Sequence, residues 1–191
     1  MRKVKAELLA MTVAVAFATQ SAWADDSLKY IGPAYGFVST TGVVTSPAAI
    51  TSSPAAGGFL MQNLSVPSGS FLAWCLDVQG WLNSPATYRL LTGTDFYTGT
   101  AGATKVNDLE RLATAVLPLV NNTQTSGAFQ LAVWEIINET AASYTLDSGN
   151  FMVGSASNGA YDKANEWLNN LNNGTFSADT MTLSVWKDVE G

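Results

Sequence analysis

One residue in this chain carries strong nucleophilic chemistry, and the partner such a residue normally uses is missing. Cys75 is the only cysteine, and the chain contains no histidine. Without an imidazole neither a Cys–His pair nor a Ser–His–Asp triad can be assembled. Zinc held by cysteine and histidine is excluded for the same reason. In an exported chain an odd cysteine points to intermolecular pairing or to a reactive thiol. Around it, Leu72, Trp74, Leu76 and Val78 alternate with Phe71, Ala73, Cys75, Asp77 and Gln79. A period of two is that of a strand, so Cys75 and Asp77 are expected on one face, away from the more apolar one. Asp77 is then placed either to accept the thiol proton or to position the thiol by a hydrogen bond, although its charge also disfavours a thiolate.

The elements that must hold this residue divide the chain in two. Phe37 to Val44, Phe59 to Val66 and Tyr88 to Leu91 are rich in strand formers, with the Ser/Pro/Ala/Gly stretch from Thr45 to Gly58 between the first two. Helical spacing follows. Val106, Leu109, Leu112, Val116 and Val120 recur every three to four residues, and Pro118 breaks the end. A second helix, capped by Thr125 or Ser126, carries Phe129, Ala132, Val133, Ile136 and Ile137 on one stripe. A third runs from about Ala160 to Leu171 and stops at Asn173-Gly174. Met181 to Trp186 alternates again as a final strand. Strands, then helices, then a returning strand predict an α+β fold: a β-rich N-terminal lobe, sandwich or barrel-like, with a helical lobe.

Arg2, Lys3 and Lys5 precede an apolar run from Leu8 to Ala18, and Ala22-Trp23-Ala24 is a small-x-small cleavage pattern. Residues 1–24 therefore read as a signal peptide and 25–191 as one domain, secreted or held at the cell surface. Three of the nine basic residues and one of the fifteen acidic ones lie in the leader, which leaves a net charge of −8. That balance argues against nucleic acid or an anionic membrane as partner. No second apolar run has the length of a membrane span, so stable insertion after cleavage is not expected.

Two segments, Phe71-Leu72-Ala73-Trp74-Cys75-Leu76-Asp77 and Ala128-Phe129-Gln130-Leu131-Ala132-Val133-Trp134-Glu135-Ile136, together resemble the signature of secreted bacterial thioester domains. That signature is an aromatic-Cys-aliphatic-polar segment on a strand and a later aromatic-Gln-x-Ala-aliphatic-Trp segment on a helix. Tyr144 to Phe151 and Ala164 to Leu168 look like one subgroup, the exported Gram-negative proteins that often end in a PEP-CTERM sorting signal. This chain has no Pro-Glu-Pro motif, apolar anchor or basic cluster after Trp186, so release, retention by a partner or truncation are the expectations. The resemblance implies an internal thioester between Cys75 and Gln130. It also implies single-use acyl transfer, without turnover, to an amine- or hydroxyl-bearing surface macromolecule, protein or polysaccharide. The outcome is covalent, adhesin-like attachment with no cofactor and no metal.

Formation of that bond requires the Cys75 sulfur to attack the Gln130 side-chain carbonyl as ammonia leaves. Gln130 is expected within the first turn or so of its helix, where free N–H groups and the positive dipole end stabilise an oxyanion. Trp134, one turn further on, is expected to cover the bond and exclude water. The competing reading is a non-reactive extracellular matrix or carbohydrate-binding module. In it Cys75 is a small buried hydrophobe and Gln130 faces solvent. Glu135 and Glu139, i,i+4 on one helix, read as a solvated face rather than a catalytic pair. A cysteine amidase or transglutaminase-like enzyme is disfavoured by the absence of histidine.

Overall fold

Alternating β-branched and aromatic segments supply most of a curled antiparallel sheet, and the regularly spaced apolar residues of the second half supply the helices packed on it. The structure, a computed structural model, describes residues 8–13, 25–46, 53–66, 69–78, 80, 82, 84–140 and 143–189. Its elements are, in order, β1 (Leu8–Val13), β2 (Asp25–Pro33), β3 (Val38–Thr41), β4 (Val44–Thr45), β5 (Ala55–Ala56), β6 (Phe59–Asn63), β7 (Gly69–Cys75) and β8 (Ala86–Thr92). There follow α1 (Gly93–Phe96), α2 (Gly99–Val116), α3 (Thr123–Asn138), β9 (Phe151–Met152), β10 (Ser155–Ala156), α4 (Ala160–Asn172) and β11 (Met181–Asp188).

The main sheet has the order β1-β11-β8-β2-β6-β7. β1 pairs antiparallel with both β11 and β7, which closes the sheet into a barrel. The returning C-terminal strand is therefore an integral stave, between β1 and β8. β1 falls within the predicted leader, and the rest of residues 1–24 lies outside the described residues. The predicted strand continuation through Gln79 stops at Cys75, and Gln79 and Trp81 also lie outside the described residues. Two small sheets, β10-β3-β5 and β4-β9, flank the barrel.

Both faces of the curled sheet are covered, because successive side chains of a strand point to opposite sides. Inside the barrel Leu28, Met61, Ala73, Tyr88 and Trp186 pack together. Trp74, next along β7, belongs to a second and larger core between sheet and helices. α2 buries Val106, Leu109, Leu112 and Val116, the predicted stripe, and Pro118 sits in the 3₁₀ turn that follows. α4 buries Ala164, Trp167, Leu168 and Leu171 and ends with Gly174 at φ +78°. α3 is different in kind. Every residue from Ser126 to Ile136 is buried, so it is the central helix of the domain. Among the described residues no helix is long and apolar enough to cross a membrane. The fold is α+β, with a β-rich portion built mainly by the first half of the chain.

Candidate functional site

Gln130 and Cys75, 55 residues apart, are held together by both ends of one side-chain amide. The Cys75 main-chain N–H donates to Gln130 Oε1 at 3.0 Å, and Gln130 Nε2 donates to the Cys75 carbonyl at 2.8 Å. This contact has a topological cause. β6 begins only at Phe59, which pairs with Ala73, so the end of β7 runs past its neighbour. The Gln130 amide takes the place of a strand there, offering one donor and one acceptor to the main chain of Cys75. Cys75 is 7 % exposed and Gln130 1 %. The expectation of a solvent-facing Gln130 is overturned, as is that of a Cys75 turned away from the apolar side. Burial without a partner would cost a glutamine amide about 1–3 kcal/mol per unmet group, and the Cys75 backbone removes that cost.

The thiol has its own contact. Cys75 Sγ donates to the main-chain carbonyl of Asp77 at 3.0 Å. This contact uses the main chain of Asp77, which any residue would offer, and the residue itself is half-buried. Behind the cysteine, inside the barrel, Tyr88 of β8 stands opposite Asp188 of β11, both buried. The Tyr88 phenol is pushed well up by burial, then by the Asp188 charge, then by charge on Cys75. Tyr88 thus remains a neutral phenol within electrostatic reach of the sulfur. Sequence reasoning missed both residues. Their only signal is the alternation of β8, the next strand after β7, and of β11, far from Cys75 in sequence, and nothing in that alternation says which face lies toward it.

α3 is fixed at its start by Asn122, whose side chain accepts from Thr125 N at 3.0 Å while Thr125 Oγ1 accepts from Asn122 N at 3.3 Å. This reciprocal capping box replaces the cap expected at Thr125 or Ser126. As a result Gln130 lies two turns inside the helix. The free N–H groups of the first turn are satisfied or out of reach, and the donor at the Gln130 carbonyl is the Cys75 main chain instead. Ser126 Oγ is used differently, accepting from Gly58 N at 2.9 Å and so tying α3 to the approach of β6. Gly127 lets α3 lie against β3, since a Cβ there would come within 2.5 Å of Val38 Cγ2. Phe129 packs edge-on to Trp74 with ring centroids 4.8 Å apart.

A cavity of about 750 Å³ opens beside the pair and is lined by Cys75, Gln130, Trp134, Phe37, Phe59 and Leu82 among others. Trp134 follows Gln130 by one turn, is 3 % exposed and lines the same cavity. Asp77 also reaches the cavity wall. The carboxylates of Glu135, on α3, and Glu139, its C-cap, do not line it. Glu135 and Glu139 are 0 % and 5 % exposed, which corrects the expectation of a solvated face. Glu135 Oε1 accepts from Thr145 N at 2.8 Å, and the Glu139 oxygens accept from Thr140 N at 2.7 Å and Asn150 N at 2.8 Å. Both clamp the segment that follows α3. Burial raises the Glu135 carboxyl, the Thr145 N–H opposes this, the Glu139 charge adds to it, and the outcome is about 8.

Compared with protein-family models, with curated proteins and with solved structures, the chain matches none of them.

Proposed function

We propose that Cys75 and Gln130 form an internal thioester that is consumed once, by a nucleophile on another macromolecule outside the cell. The observation that carries this reading is the bidentate clamp of the Gln130 amide on the main chain of Cys75, buried at the wall of a cavity. It supports the chemistry in three ways. The clamp fixes the acyl carbon of Gln130 next to the residue that bears the sulfur, which removes the entropic part of the barrier. The Cys75 N–H already donates to the oxygen on which negative charge develops as sulfur adds. The mostly apolar wall restrains hydrolysis of the product, while the cavity leaves room for an incoming amine.

The reaction balances without a cofactor. The Cys75 Sγ–Gln130 Cδ bond forms, the Cδ–Nε2 bond breaks, and the thiol proton departs with ammonia. An amine of the partner then forms a bond to Cδ, the C–S bond breaks, and the amine proton returns to the Cys75 sulfur. The product is an amide cross-link between this chain and its partner, as adhesin-like attachment requires. Asp77 contributes the carbonyl that holds the thiol, and Trp134 covers the pair.

The decisive experiment is the intact mass of the protein purified without added amines, beside Cys75→Ala. The expected mass is short by one ammonia in the parent alone, and methylamine adds to the parent alone. A full mass with a titratable thiol would leave the non-reactive binding module as the better description.

A further inference from the structure

The indole N–H of Trp134 has no acceptor among the described residues, although the atom is fully buried. Most buried polar groups find a partner, and leaving a donor unpaired costs about 1–3 kcal/mol, so a retained orphan calls for an explanation. Its surroundings supply one. Trp134 lies one helical turn beyond Gln130 on α3, lines the same cavity, and is set in place by an edge-on contact with Phe151 at 6.2 Å between ring centroids. The Gln130 carbonyl oxygen has two lone pairs, and among the described residues the Cys75 N–H is its one donor.

We propose that Trp134 Nε1–H is the second oxyanion donor of this site. As sulfur adds to Gln130 Cδ, the C=O π pair moves onto Oε1, which swings toward the indole as the carbon becomes tetrahedral. Collapse restores the carbonyl and expels Nε2 as ammonia with the thiol proton. The same donor serves when an amine adds to the thioester and the Cys75 sulfur leaves. An indole is suited to this role because its N–H only donates and holds no lone pair against an anion. The inference rests on the thioester reading and adds a role to Trp134 beyond that of a cover.

The test replaces Trp134 by 3-benzothienylalanine, which keeps the bicyclic shape and puts sulfur where the N–H was, and separately by Phe. Intact mass follows methylamine capture with time, and thermal melting checks the packing. Loss of one oxyanion donor is expected to slow capture by about 100-fold in the benzothienyl protein with its melting temperature unchanged, and Phe is expected to slow it at least as much. Capture at the parental rate in the benzothienyl protein would overturn the proposal and leave Trp134 as a lid alone. If the parent itself shows a full mass and a free thiol, the thioester reading fails, and this inference with it.

Discussion

Gln130 engages the main chain of Cys75, and that contact separates its structural from its chemical part. Gln130→Ala orphans a buried N–H and a buried carbonyl, so a loss of about 2–4 kcal/mol in urea unfolding is expected. Gln130→Glu retains the volume and an acceptor, and the expected intact mass shows no loss of ammonia. Glu135 gives a prediction of another kind. Folded, it keeps its proton to about pH 8, whereas unfolded it releases it in the ordinary carboxylate range. Its contribution to stability is therefore complete below that range, falls as the pH rises toward about 8, and is constant above. Urea titrations across this window are expected to show a decline of about 1–3 kcal/mol that Glu135→Gln removes. The contrast between these residues also shows what a sequence reveals. Cys75 was conspicuous because nothing else in the chain does its chemistry, and Gln130 because its flanking pattern resembles a known one. Glu135 and Glu139 were misread because an i,i+4 carboxylate pair has the same spelling on a wet face and under a loop. Only the backbone donors of Thr140, Thr145 and Asn150, which the segment after α3 folds back onto the carboxylates, distinguish the two.

At the level of elements, the three long helices and the strands β3, β6, β7, β8 and β11 were legible from their periods of 3.6 and 2, and α2, α4 and β11 lie where those periods place them, whereas α1, β2 and the short strands β5, β9 and β10 were not read. The start of α3 was not. Asn122, Thr125 and Ser126 are all good caps, and local chemistry does not choose among them. The choice is made upstream, where the 3₁₀ turn at Leu117–Leu119 releases the chain early enough for Asn122 to cap and Thr125 to reciprocate. The closeness of α3 to the sheet depends on Gly127. With Gly127→Ala the new methyl meets Val38, so α3 must retreat by a fraction of an ångström. The expected results are a destabilisation of about 1–3 kcal/mol and, because Gln130 moves with the helix, a smaller fraction of the protein short by one ammonia. Equal ammonia loss in this variant would show that the clamp tolerates displacement of its helix.

For the molecule as a whole, the proposed bond would join the end of β7 to the centre of α3 and close a loop of 55 residues. Treated as a covalent cross-link, that closure stabilises by about 4 kcal/mol at most. Protein opened by methylamine is expected to unfold at lower urea concentration than intact protein, and Cys75→Ala is expected to show no such difference. The barrel's closing stave raises a question of order in time. Leu8–Val13 is seated between β11 and β7, with Leu8 opposite Cys75. The Cys75 amide is turned to Gln130, so the amide of Trp74 is turned the other way, toward that stave. Cleavage after Ala24 would remove the stave and leave Trp74 with an unanswered N–H on the very strand that carries the sulfur. Hydrogen exchange at Trp74 would report such a cut: slow exchange is expected in the full chain, fast exchange in residues 25–191, and slow exchange again only when another strand takes the seat.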